Sequence, residues 1–292
     1  MNDSMLDIQV IKSKKSTEDL IRFSIINIDK PSGPTSFQVS QFVKNSLNVN
    51  KTSHFGTLDP AVSGVLPVGI GRACRLNEYL MHRDKTYVGI MRVHQEISES
   101  KLNKIVEKFI GKIQQLPPVR SRVKRAVRER EIKYFNILEI DGKDILFETQ
   151  VQAGTYIRKI CDDMGKEIGG AHMLELRRTQ AGLFSEKDIH TLYDFENALN
   201  KFKDGEDKIL RSMLVPGEIV TTIMPTIEVR KDVVKKCLTG SPIFLSFLKD
   251  KDHVKNLIEE GKICIISEDK FIGCYKFIGK EDLVAKPEFV LN

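Results

Sequence analysis

The sequence predicts an α+β fold: a domain of mixed strands and helices over about residues 1–220, followed by a smaller β-rich domain over 221–292. Three observations carry this. A chain of 292 residues has room for about two domains at roughly 100–200 residues each. Strand-like and helix-like runs follow one another without a strand–helix–strand repeat. Beyond about residue 220 the runs become short and β-like.

Ser24–Ile28 reads as a strand, and Asp29–Pro34, with two prolines around a glycine, as a loop. Thr35 then caps a helix, Gln38 completes a capping box, and Val39, Phe42, Val43 and Leu47 recur at helical spacing. Ser53–Gly71 carries four glycines and two prolines, too broken for a helix, and ends in a strand at about Gly64–Ile70. Leu102, Ile105, Val106, Phe109 and Ile110 mark a helix stopped by Gly111. Ile132–Ile140 and Ile145–Ala153 are strands joined at Asp141-Gly142, a hairpin signal. Thr155 is predicted to cap a helix that turns Ile157, Ile160, Cys161, Met164 and Ile168 inward, ends at Gly169 and holds Arg158 in its first turn. In the tail, Glu228–Arg230, Pro242–Leu248, Lys262–Ser267 and Phe271–Phe277 are the β-like runs.

A balance of 41% hydrophobic and 29% charged residues excludes a disordered or fibrous chain. No apolar run reaches about 18 residues, and Met1–Lys15 lacks an apolar centre, so neither a membrane span nor a secretory signal is expected. A cytoplasmic chain follows. Five scattered cysteines without a C-x-x-C pair argue against zinc and against disulfides, leaving reduced, buried thiols. Of the net charge of +6, an excess of +5 lies between Arg120 and Lys133, where seven basic residues face Glu129 and Glu131. Such a cluster meets phosphates or is a solvated face; nucleic acid is the leading partner.

Asp59, in Gly56-Thr-Leu-Asp-Pro60, is the carboxylate that draws notice. Pro60 biases it toward extended backbone, and small neighbours leave room for a ligand. It suits a nucleophile, a general base, or a turn aspartate bonded to its own backbone. Tyr87 reads as a core strand residue and Arg158 as a helix-end charge on the same footing.

His54-Phe-Gly-Thr-Leu-Asp-Pro60, followed by Gly64-Val-Leu-Pro-Val68, resembles the catalytic motif of TruB-family pseudouridine synthases. Asp29-Lys-Pro-Ser-Gly-Pro-Thr-Ser36, Lys85-Thr-Tyr87 and Gly154-Thr-Tyr-Ile-Arg158 fall in the family's order. Leu116-Pro-Pro-Val-Arg-Ser121, Val123-Lys-Arg125 and Gly170–Thr179 are similar to the dyskerin branch, the enzyme of box H/ACA particles. The resemblance implies a pseudouridine synthase mixed-sheet catalytic domain with a C-terminal PUA-like β-rich domain. It implies that Asp59 is the nucleophile on a flipped RNA uridine, with neither cofactor nor metal. Arg158 pairs with Asp59 and favours its ionised form in a site that excludes water. Tyr87 stacks on the base and moves a proton, Leu176 lies beneath the base, and His54 belongs to the substrate-binding positions. Lys30 and Pro31 brace the active loop, a structural role. Thr239, Gly240 and Ser241, in a glycine turn, are implied to contact guide RNA. Substrate RNA, a box H/ACA guide RNA and small accessory proteins are the implied partners, and no membrane.

Two departures keep rivals in view. Ser53 and Phe55 flank His54, where the family carries glycine and a small residue, so Phe55 either fills the substrate's space or turns inward. The first case is an inactive RNA-binding scaffold of the same fold. The N-terminal extension, which packs against the PUA domain in the dyskerin branch, is about 23 residues before the first motif. A stand-alone enzyme acting on the tRNA T-loop is the other rival, and Pro117–Arg125 favours the particle subunit.

Arg120, Arg122 and Lys124 alternate with Val119, Ser121 and Val123, so extended backbone presents three charges on one face, to grip substrate RNA. Replacing all three with alanine is expected to reduce the salt slope of substrate-RNA binding by roughly 2 units, at about 0.7 per single-strand phosphate contact. A salt titration with guide RNA already loaded measures it; an unchanged slope identifies a solvated face or a protein interface.

Overall fold

The computed structural model describes residues 6–117, 124–251 and 261–292. The chain forms two compact units, one of Ile26–Gly69 and Asn77–Met213, the other of Met1–Ile25, Ile70–Leu76 and Leu214–Asn292. This grouping is discontinuous along the chain, unlike a single division near residue 220. The strands at Phe23–Lys30 and Ser63–Gly71 each contribute residues to both units.

The larger unit is built on a mixed sheet. In chain order its strands are β1 (Phe23–Lys30), β2 (Thr52–His54), β3 (Ser63–Gly71), β4 (Lys85–Val93), β5 (Gly111–Gln115), β6 (Arg128–Asp141), β7 (Asp144–Val151), β8 (Ala171–Ala181) and β9 (Phe184–Ser185). They lie in the order β1-β3-β8-β4-β7-β6-β5, with β2 on β3 and β9 on β8. β3 and β8 run parallel through Ser63↔Arg177 and Gly64↔Arg178, while β4 is antiparallel to both β8 and β7. A parallel pair from strands so far apart in sequence is what makes the sheet mixed.

Local chemistry explains most elements. β1 and β3 are buried along nearly their whole length, matching their apolar runs. Thr35 caps the helix Ser36–Ser46, and Gln38 returns the bond to the Thr35 backbone, as the capping-box spacing predicts. β7 alternates, with Ile145, Phe147, Thr149 and Val151 buried, and Gly142 takes the positive φ of +56° that its hairpin turn requires. The helices Glu99–Phe109 and Ile157–Lys166 bury Leu102, Ile105 and Val106, and Ile160, Cys161 and Met164, in one cluster with Met91, Ile132, Phe135 and Phe147. Each such side chain contributes about 1.5–3 kcal/mol. Leu58, Val62, Tyr87 and Leu176 belong to this cluster, which anchors the candidate site to the core.

One cap differs from expectation. Tyr156, not Thr155, is the N-cap of Ile157–Lys166 and makes no side-chain capping bond. The Thr155 hydroxyl instead donates to the Gln152 carbonyl at 2.7 Å, closing the preceding turn. The buried Gln115 side chain takes over, accepting from the Tyr156 N–H at 3.0 Å and donating to its carbonyl at 3.2 Å.

In the smaller unit a five-stranded sheet has Thr226–Glu228, Lys262–Ser267, Lys270–Lys280, Leu283–Val290 and Ile243–Phe244 as neighbours in that order. The tail differs from the sequence expectation in two places. Pro242–Leu248 yields only a two-residue strand, because Leu245–Phe247 winds into a 3₁₀ turn. Leu283–Val290 is a strand despite Pro287, which lies at a register shift opposite Tyr275. The N-terminal segment packs within this unit: Phe23 stacks on Phe271 with centroids 5.8 Å apart, and Lys14 pairs with Asp269 at 2.5 Å. All five cysteines are free and buried, as expected. Among the described residues no helix is long and apolar enough to cross a membrane.

Gly64 takes φ +103° at the β3–β8 contact, where a Cβ would lie 2.2 Å from the Arg178 carbonyl oxygen. Gly64→Ala is expected to destabilise by roughly 3 kcal/mol or more, combining overpacking with backbone strain. Gly142→Ala, with open space around its Cβ, is expected to cost only about 1 kcal/mol. Urea denaturation of both variants checks the contrast; equal losses would place the cause in φ alone.

Candidate active site

The loop Phe55–Val62 joins β2 to β3 and carries Asp59. Its own turn is closed by the Val62 N–H donating to the Asp59 carbonyl at 3.0 Å. Everything else that fixes it comes from outside the loop. Ser36, the first residue of its helix, accepts from the Leu58 N–H at 2.8 Å, and its hydroxyl donates to the Leu58 carbonyl at 3.0 Å. The Gly33 N–H donates to the Pro60 carbonyl at 2.9 Å. The Thr57 hydroxyl bonds the His54 Nε2 at 3.1 Å.

Three buried cations complete the cradle. Lys30 is fully buried, and its ammonium donates to the carbonyls of Pro31, Pro60 and Val62 at 2.8, 3.0 and 2.7 Å. Arg178 is buried on β8, with Nε donating to the Val65 carbonyl at 2.8 Å and Nη2 to the Gly56 carbonyl at 3.0 Å. Lys85 donates to the carbonyls of Met81 and, at 2.5 Å, Arg83. Burial pushes the Lys85 ammonium down to about 8, with Arg178 adding to the effect and Asp84 opposing it. Lys30 is lowered by burial and held up in part by the charge of Asp59. His54 is lowered by burial and by Arg178, which favours the neutral imidazole.

Above this floor the Asp59 carboxylate meets the Arg158 guanidinium at 3.1 Å. The two side chains are 53% and 52% exposed, so the pair lies open rather than in a water-excluding site. The physical reason is position: Arg158 stands on the exposed face of the first helical turn, opposite the buried Ile157 and Ile160, and Asp59 is exposed in its loop. Tyr87 and Leu176 are nearly buried, on the adjacent strands β4 and β8. Gly89 pairs with Leu176, and a Cβ there would approach Leu176 Cδ1 and Phe147 Cζ to 2.8 Å, so the sheet closes tightly beneath that leucine. Phe55 is among the most completely buried side chains, and its N–H donates to the Pro67 carbonyl at 2.8 Å. Its ring is turned inward, away from the open carboxylate.

Pro31 is exposed and offers its carbonyl to Lys30. Arg120 and Arg122 lie outside the described residues; Lys124 is exposed. Arg128 and Arg130, from the same basic run, line a cleft with Gln115, Pro117, Gly154 and Tyr156, two residues from Arg158. Thr239, Gly240 and Ser241 lie in the smaller unit just after the helix Val234–Leu238, with Gly240 at φ +88° and the Thr239 hydroxyl on the Lys236 carbonyl at 2.8 Å. Sequence reasoning missed Ser36, Lys85 and Arg178. Arg178 was within reach, since it lies two residues beyond Leu176 on one strand and shares its inward face. Among the described residues no cluster of three metal-ligating side chains occurs.

Comparison with known proteins identifies the family of the chain. Residues 44–100 and 93–157 match the N-terminal domain of the TruB family of pseudouridylate synthases, and 158–221 match the C-terminal domain of tRNA pseudouridylate synthase B. A probable tRNA pseudouridine synthase B of Methanothermobacter thermautotrophicus is 43% identical over 79% of this chain and 72% of its own length. Its counterpart in Sulfurisphaera tokodaii is 40% identical over 95% of this chain and 85% of its own. Among solved structures, a chain of a Cbf5-Nop10-Gar1 complex aligns with a TM-score of 0.87 at 33% identity, covering 99% of this chain and 92% of that one. A chain of an H/ACA ribonucleoprotein bound to a substrate RNA containing 2'-deoxyuridine aligns with a TM-score of 0.85 at 32% identity, covering 100% and 91%. With a family match spanning the Asp59 loop and Arg158, and relatives this similar over most of their length, the chain belongs to the TruB family of pseudouridine synthases.

Proposed function

We propose that Asp59 is the nucleophile of this pseudouridine synthase and that the chain works as the catalytic subunit of a guide-directed H/ACA particle. The observation that carries the first half is the Asp59–Arg158 pair, 3.1 Å apart and open above a loop pinned on both sides. In the isomerisation the bond from the ribose to N1 of uracil breaks and a bond to C5 forms, while the hydrogen on C5 is lost and N1 gains one. No atom is added, and no cofactor is called for. Asp59 attacks the flipped uridine, Arg158 balances its charge, Tyr87 stacks on the base and takes part in the proton movement, and Leu176 supports the base from below. His54 and the run containing Arg120, Arg122 and Lys124 hold the substrate strand, and Lys30 and Pro31 brace the loop. The buried ring of Phe55 favours an enzyme over an inactive scaffold.

The solved relatives assembled with Nop10 and Gar1 or with substrate RNA support a guide RNA and small accessory proteins as partners. The smaller unit is then the PUA-like guide-binding domain, broadly residues 221–292, with Thr239, Gly240 and Ser241 at the RNA. The archaeal relatives support a cytoplasmic location. A second reading, a stand-alone tRNA enzyme, is favoured by the names of the sequence relatives. Reconstitution with and without guide RNA, followed by pseudouridine mapping, separates the two: guide-dependent sites are expected, and tRNA modification by the chain alone would overturn the particle reading.

Asp59→Asn is expected to keep RNA affinity within about threefold while turnover falls on the order of 10⁴-fold or more, since the amide keeps the shape without the nucleophile. Near-normal turnover would remove Asp59 from the mechanism. Arg158→Ala is expected to slow turnover by about 10²–10³-fold. Because the pair is open, its stability loss should stay within about 1 kcal/mol. Rescue by Arg158→Lys would assign the effect to charge, and its failure to the two-pronged guanidinium geometry; single-turnover rates and thermal melts read all three variants.

A further inference from the structure

Arg178 has no part in the proposed chemistry, yet it is 1% exposed and lies directly behind the reacting groups. Tyr87 and Arg178 are cross-strand partners in the β4–β8 pairing, both side chains are buried, and the Tyr87 hydroxyl opposes the lowering that burial imposes on the guanidinium. The guanidinium's bonds go to the carbonyls of Val65 and Gly56, the second of these in the Asp59 loop. Among the described residues Arg178 makes no ion pair. An uncompensated buried cation is a poor stabiliser, and an apolar side chain of similar volume would commonly serve a core better. The bonds to Val65 and Gly56 explain the hold on the loop, but stability gives no reason for the guanidinium also to face Tyr87.

The chemistry of the group gives one. Arginine carries five N–H donors, no acceptor, and stays protonated. Toward a cross-strand neighbour such as Tyr87 a guanidinium can only donate, so the hydroxyl oxygen accepts and the hydroxyl hydrogen is left for the opposite side. We propose that Arg178 is a positioning residue for the isomerisation: it turns the Tyr87 O–H toward the base and ties Tyr87 to the Asp59 loop through Gly56. Because the guanidinium releases no proton, it orients the phenol without competing in the transfer from C5 to N1. A lysine ammonium at this position would reach fewer of the three acceptors at once. This inference rests on Tyr87 and Asp59 acting as proposed above.

Two measurements on the full chain test it. With ¹⁵N-labelled arginine, Tyr87→Phe is expected to shift the Arg178 Nη resonances and leave its Nε–H, held by Val65, in place. Unmoved Nη resonances would show that the contact is absent and overturn the proposal, whatever the enzyme's activity. The second is a double-mutant cycle in single-turnover rate on substrate RNA, using Arg178→Lys, or Arg178→Gln if the lysine variant does not fold. The Arg178 substitution is expected to slow wild type roughly tenfold or more but the Tyr87→Phe enzyme less than about twofold, with RNA affinity little changed in both. Equal slowing in both backgrounds would make Arg178 a prop for the fold and overturn the positioning role. Loss of activity confined to none of these variants, with Asp59→Asn fully active, would count against the underlying mechanism while the resonance test still reads the contact.

Discussion

The backbone of the Asp59 loop is held by two buried cations, Lys30 and Arg178, that make no ion pair among the described residues. Lys30 gathers three carbonyls after and before the loop's turn, and Arg178 takes one on its other side, at Gly56. A buried ammonium or guanidinium is stabilised by whatever lone pairs surround it, and carbonyl oxygens fixed in a turn are ready acceptors. The dependence runs both ways, since the loop carbonyls satisfy the cations and the cations fix the loop's path. The sheet makes this possible by bringing β1, β3 and β8 side by side, so that residues remote in sequence converge on eight residues of chain.

A second consequence is electrostatic. Lys30, Lys85 and Arg178 put positive charge beneath the loop, and among the described residues none of them is neutralised by an ion pair. Burial lowers Lys30, Lys85 and Arg178 alike; the charge of Arg178 adds to the shift at both lysines, while Asp59 opposes it at Lys30, Asp84 at Lys85 and Tyr87 at Arg178. An RNA phosphate approaching the mouth of such a field is attracted to it.

Legibility followed distance along the chain. The Thr35–Gln38 capping box, the turn at Asp141-Gly142 and the alternation of Ile145, Phe147, Thr149 and Val151 were readable because each is decided within a few residues. The Asp59 loop was readable through its motif. Thr155 was misread because a competing acceptor, the Gln152 carbonyl, is equally local, while the real service to the helix end comes from Gln115, 41 residues away. The strand Leu283–Val290 was hidden by Pro287, whose tolerance depends on a register shift in its neighbour. Arg178 escaped because composition marks arginine as surface; its two-residue spacing from Leu176 put it on the inward face, and the pairing of β8 with β3 and β4 shows what it meets there. Discontinuous grouping of the two compact units has the same origin, since compactness is a property of contacts that no local window contains.

The openness of the Asp59–Arg158 pair bears on how the resting protein is stored. Exposed ion pairs are worth about 0–1 kcal/mol, little more than thermal energy. Water and salt can loosen the pair at almost no cost, so the guanidinium covers the carboxylate without locking it. With Asp59 acting as proposed, an arriving nucleotide has little to dislodge before it reaches the oxygen atoms. Had the same two charges been enclosed, separating them would cost several kcal/mol before any chemistry began. The rigid cradle below and the loosely held partner above thus divide the work: one keeps the carboxylate in place, and the other leaves it available.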